Sequence, residues 1–133
     1  MDVLLSIKPK FVEAIMDGRK KYEFRKIIFS RGHINYAYIY STAPIKKIIG
    51  VFKVDNIIKD RPSALWDQLR DHAGISEDEF FNYFKNKEMG FALEIRDVKR
   101  FEKPLDPKSL FPNFVPPQSF RYIRSPIKYE DHD

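Results

Sequence analysis

The sequence predicts a mixed α+β fold, and three observations carry that prediction. Several short runs alternate apolar and polar residues with the two-residue period of a strand, as in Tyr22, Phe24 against Lys21, Glu23, Arg25. Ser76 and Glu79 form a capping box, the strongest local sign of a helix start. Six of the nine prolines fall beyond Phe101, so regular structure concentrates before that point. With 133 residues, 43% of them apolar, the chain suits one hydrophobic core. The expected organisation is one domain over residues 1–124 and a flexible tail over residues 125–133.

Val3 to Ile7 reads as a strand, ended by Lys8-Pro9, because proline excludes helical geometry at the residue before it and favours a helix start at its own position. A helix then runs from Pro9 to Asp17 with Phe11, Ala14 and Ile15 on one face, and Gly18 stops it. Lys20 to Lys26 is a half-buried strand. Tyr22 and Phe24 point to the core and Lys21, Glu23 and Arg25 point away from it. Residues from Ile27 to Asn35 form a loop around Ser30, Arg31, Gly32 and His33, and Tyr36 to Ser41 resumes as strand.

Ile48 to Ile58 is rich in β-branched residues and belongs in the centre of the sheet, where Gly50 marks a bulge or a close backbone approach. After Arg61-Pro62 a helix carries Leu65, Trp66, Leu69 and Ala73 and ends at Gly74. The capped helix follows, with Ile75 able to staple against Phe80. Phe91, Leu93 and Ile95 alternate with Ala92, Glu94 and Arg96 in a further strand towards Phe101, which is expected to close the sheet. Lys103 to Pro126 is expected to be extended loop, pinned by Phe111, Phe114, Phe120 and Tyr122.

Composition removes whole classes of chemistry. Without cysteine there are no disulfides, thiolate metal sites or thiol nucleophiles, and the short apolar start carries an acidic residue where a leader is basic. A cytoplasmic protein without membrane association is expected. His33, His72 and His132 stand apart from one another, so no metal site is expected. No Walker loop, dinucleotide fingerprint or G-x-S-x-G elbow is present, and no cofactor is expected.

The net charge of +5 is unevenly spread, since Arg19, Lys20, Lys21, Arg25 and Lys26 crowd around Glu23 at a helix-to-strand junction. On a strand, Glu23 and Arg25 share one side about 6.5–7 Å apart, so they can offer an acceptor and a donor fork to one ligand. Lys20 stands at the strand's mouth, within reach of a phosphate. The plainer alternative is a solvated ion pair between Glu23 and Arg25 or Lys21. Tyr36, Tyr38 and Tyr40 share one strand face, as core residues or as a platform for stacking bases.

Gly18, Lys20, Glu23 and Arg25 reproduce the G-x-K-x-x-E-x-R motif, and on these residues the chain resembles the ASCH domain of the PUA-like superfamily. Leu5-Ser6-Ile7-Lys8-Pro9, the Ala14-Ile15 helix ending at Gly18, the Tyr40-Ser41 strand end and the Ile49-Gly50 strand extend the likeness over about Met1 to Arg100. The resemblance implies a mixed β-barrel with flanking helices, and a cleft between barrel and helix lined by the motif. RNA is the ligand class it implies.

Some ASCH proteins are ribonucleases, and others are amidohydrolases that deacetylate acetylcytidine with a lysine, a threonine three residues later and a distant glutamate. Lys20 matches that lysine, but Glu23 stands where the threonine belongs and His72 or Ala73 stands near the glutamate. Amidohydrolysis is therefore disfavoured. The leading expectation is an RNA-binding module that holds a nucleotide or modified base, with Lys8, Arg19, Lys20, Lys21, Glu23 and Arg25 in contact. The competing readings are an RNA-processing enzyme using Lys20 and Glu23, and a protein-interaction domain.

Overall fold

A computed structural model describes residues 1–124 and 126–130. Six strands form one mixed sheet: β1 (Asp2–Ile7), β2 (Tyr22–Arg25), β3 (Tyr36–Ser41), β4 (Lys47–Asp60), β5 (Gly90–Leu105) and β6 (Phe120–Ile123). Their spatial order is β2-β5-β4-β3-β1-β6. β1 runs parallel to β3, and the remaining pairs are antiparallel. The helices are α1 (Pro9–Met16), α2 (Pro62–Leu69), α3 (Glu77–Tyr83) and α4 (Pro107–Leu110), with a 3₁₀ turn at Arg70–His72 after α2. Among the described residues no helix is long and apolar enough to cross a membrane.

The sheet is covered on both faces, which explains the near-continuous apolar run of β1. Val3, Leu5 and Ile7 join Ile15, Ile39, Phe52 and Leu93 in one core, whereas Leu4 turns to a second with Tyr38, Tyr40, Ile48 and Phe101. A third core gathers Phe24, Leu65, Leu69, Phe80 and Phe84 beneath α2 and α3. Tyr38 and Tyr40 are therefore packing residues, and of the three strand tyrosines Tyr36 alone is exposed. At Gly50 the ladder shifts register, and a Cβ would collide with the Lys99 carbonyl oxygen and come within 2.7 Å of Met16 Cε. The close approach read from the sequence is a contact between β4, β5 and α1.

Three expectations need correction. First, Ser76 Oγ accepts from the Glu79 amide (3.2 Å), but the Glu79 carboxylate pairs with Lys10 at 2.6 Å, so the cap is one-sided. Second, the proline-rich stretch is not all loop: α4 opens at Asp106, whose side chain accepts from the Lys108 amide, and β6 pairs with β1. Third, the expected tail is packed over its described part. Ile127 is buried in the second core, its amide donates to the Tyr38 hydroxyl (3.2 Å), and Tyr129 stacks on Phe101 with ring centroids 4.3 Å apart. Apolar side chains at every second position gave residues 127–129 a reason to adhere.

The strand order leaves β2 and β6 as the outermost strands, so the curled sheet is a half-barrel and not a ladder closed all round. A side chain spans the seam. Arg25 on β2 donates through Nη2 to the Ser6 carbonyl on β1 (3.0 Å) and through Nη1 to the carbonyl (3.1 Å) and hydroxyl (3.3 Å) of Ser119, one residue before β6. A guanidinium fork suits such a bridge, because its donors are planar and fixed relative to one another.

Candidate functional site

Beside that seam lies a cleft of about 760 Å³, bounded by β1, α1, β2, α3 and the segment 116–119. Its volume suits a nucleotide-sized ligand. Gly18, at φ +86°, ends α1 and turns the chain so that Lys20 begins the approach to β2 beneath the cleft. Tyr22 and Phe24 pack towards the third core, which puts Glu23 and Arg25 on the opposite face, towards the cleft. The alternation read from the sequence holds. The expectation that this second face leaves the core does not: Lys20, Glu23 and Arg25 are only 3%, 7% and 6% exposed. Loop 116–119 and α1 cover what a simple half-buried strand would leave to solvent.

Glu23 Oε2 accepts from Arg25 Nη2 at 2.7 Å, and Oε1 lies 3.9 Å from Lys20 Nζ. The Lys20 ammonium donates to the Ala73 carbonyl at 2.8 Å and sits over the rings of Phe24 (4.8 Å) and Phe11 (5.2 Å). Gly74 makes this placement possible. Its φ is +62°, and a side chain there would collide with Lys20 Cβ and lie 2.7 Å from its Cγ. Burial pushes the Lys20 pKa from its ordinary 10.5 down to about 8; the Glu23 carboxylate opposes this and the Arg25 charge adds to it.

The structure divides the six residues named from the sequence. Lys8, Lys20, Glu23 and Arg25 line the cleft. Arg19 does not, being exposed and paired with Asp17 at 2.8 Å. Lys21 is exposed as well, and its backbone joins the His72 carbonyl and the Ile95 amide. Arg19, Lys20 and Lys21 precede β2 (Tyr22–Arg25), so strand alternation does not govern which of them reaches the cleft.

Further residues share the cleft, of which the sequence singled out Lys26 as part of the charge cluster but gave Lys87, Thr42 and Ser119 no role there. Lys26 and Lys87 stand at its rim, with Lys26 Nζ 4.7 Å from the centre of the Tyr83 ring. Three hydroxyl residues, Ser6, Thr42 and Ser119, also line it, so hydroxyls are present although position 23 has none. Ser6 Oγ donates to the Pro117 carbonyl at 2.6 Å. These groups come from five separate stretches of chain, and no one local motif unites them.

Known proteins bear on the same stretch. The family described as Domain of unknown function (DUF365) matches residues 8–118. An ASCH domain-containing ribonuclease of Zymomonas mobilis is 31% identical over 129 residues, spanning 92% of this chain and 84% of that protein. The large ribosomal subunit protein uL22 of Ureaplasma parvum is 24% identical over 125 residues, but those make up 39% of its length. The crystal structure of ASCH from Zymomonas mobilis superposes with a TM-score of 0.86 at 31% identity, covering 92% of this chain and 87% of that one. Likeness of sequence and of backbone over nearly the whole length has one reading: the chain belongs to the ASCH domain family, with its PUA-like fold.

Proposed function

We propose that this protein binds RNA in the cleft between β2, α1 and α3. The observation that carries the proposal is the buried Lys20–Glu23–Arg25 floor beneath exposed lysines at positions 8, 26 and 87. Burying three ionised side chains costs several kcal/mol per ion before pairing compensates, and fold stability alone gives little reason to retain such a group. A rim of ammonium groups meets a phosphate backbone at small cost, because each contact releases condensed counterions. Absence of cysteine supports a cytoplasmic setting for this binding.

Fluorescence anisotropy with a labelled single-stranded RNA tests the reading. With three rim lysines engaged, the logarithm of the association constant should fall against the logarithm of salt with a slope of about −2. Binding that ignores salt, or no binding at low salt, would refute it.

The position of Lys20 favours a second reading, RNA cleavage, the activity in the name of the Zymomonas relative. With a pKa of about 8 the amine is neutral in about a tenth of molecules at pH 7, enough to accept a proton from an attacking 2′-hydroxyl. Its test is a pH–rate profile on the same RNA. Cleavage by this route rises as pH approaches 8, levels off above it, and is lost in Lys20→Met.

A further inference from the structure

The floor and the rim of the cleft offer different chemistry. Arg25, the group best shaped to hold a phosphate, has spent its fork: all four terminal N–H bonds go to the Ser6 carbonyl, the Ser119 carbonyl and hydroxyl, and Glu23. Its Nε has no partner among the described residues, but it is fully enclosed. A phosphate reaching the floor would also lie against the Glu23 carboxylate, and like charges in a site of low dielectric repel strongly.

What the floor does offer is an acceptor beside a donor. Glu23 Oε1 accepts no hydrogen bond among the described residues, while the Arg25 bond to Oε2 fixes the carboxylate in place. Lys20 Nζ uses one of its three N–H bonds on the Ala73 carbonyl. At 3.9 Å the two groups are too far apart to satisfy each other by a hydrogen bond. Both residues are largely buried at the cleft floor. Because Arg25 Nε is the one fully enclosed side-chain atom without a partner among the described residues, Oε1 opens to the cleft, where a ligand can meet it.

The complementary ligand edge carries a donor next to an acceptor, as the Watson–Crick edge of a nucleobase does with two adjacent atoms in one plane; a ribose hydroxyl combines both roles in one atom and is retained by an abasic strand. Phe11 and Tyr83, both half-buried in the cleft lining, supply aromatic surface for the ring. The geometry points to an orientation: an unpaired base enters edge-first, with Glu23 Oε1 accepting from it and Lys20 Nζ donating to it, while its phosphates stay at the rim with Lys8, Lys26 and Lys87. This rests on the RNA reading and sharpens it, because a base already paired in a duplex has no such edge to offer. Glu23 and Lys20 then select single strands.

The test alters the ligand and leaves the protein intact, so no variant has to fold. Uridine, cytidine and adenosine hexamers are compared with an abasic hexamer of the same backbone charge. The tightest binder is then remade with a methyl on the ring nitrogen of its Watson–Crick edge, and also annealed to its complement. The abasic, edge-methylated and duplex forms should each bind at least tenfold more weakly than the unmodified strand, and the abasic form should keep the same salt slope. Equal affinity for abasic and base-bearing strands, or tolerance of the edge methyl, would overturn the orientation and leave RNA binding standing. Failure of every strand at low salt would instead remove the RNA reading itself.

Discussion

Arg25 shows how much of the site the sequence disclosed and where that reading stopped. The G-x-K-x-x-E-x-R spacing and strand alternation place Glu23 and Arg25 side by side, and the 2.7 Å bond between them agrees. Alternation tells which residues share a face but not what covers it, so the seam across to Ser6 and Ser119 had no local signature. The consequence for mutation is large. Arg25→Ala would leave Glu23 charged and buried with Lys20 at 3.9 Å as its nearest cation, and the Ser6 and Ser119 carbonyls would lose their donors. The expected loss is about 3–5 kcal/mol of folding stability, the range for breaking a buried pair. Urea denaturation measures it. A loss below about 1 kcal/mol, the size of an exposed pair, would mean that solvent reaches the seam.

Among the elements, those with strong local chemistry were legible and those held by distant partners were not. The capping serine and the helix-ending glycines come from interactions within a few residues, and Ser76 and Gly18 sit where the sequence placed them. β6 is four residues long, preceded by Pro116 and Pro117, and it becomes a strand only because β1 offers it an edge. Gly74 belongs to this scale too, since it was read only as a helix stop. Its second role is to leave room for Lys20, so Gly74→Ala should act at a distance in sequence. The strained φ and the overlap together should cost about 1–3 kcal/mol. RNA affinity should fall further than stability explains, because Lys20 must move off the Ala73 carbonyl. Thermal melts beside anisotropy titrations separate the two effects, and unchanged affinity in a folded variant would show that the cleft does not depend on Lys20.

For the whole molecule, the α+β class and the curled mixed sheet were readable, because periodicity and the motif both bear on them. The packing of 126–130 was not, since Ile127 and Tyr129 look like any short apolar interruption in a polar stretch. Removing the residues after Arg124 should therefore uncover Phe101 and Tyr38 and lower the melting temperature by several degrees, as a loss of about 1–2 kcal/mol does in a domain of this size. An unchanged melt would mean that those side chains are already hydrated. The pairing of β1 with β6 reaches further. β1 finds one of its two neighbours only at Phe120–Ile123, far along the sequence from Asp2–Ile7, so the contact that completes the seam has a high loop-closure cost and forms late. During synthesis the whole Gly18–Arg25 motif leaves the ribosome long before Ser119, and until Ser119 arrives Arg25 lacks two of its acceptors. A nascent chain, or one terminated before Ser119, thus carries the signature of the site without the completed seam.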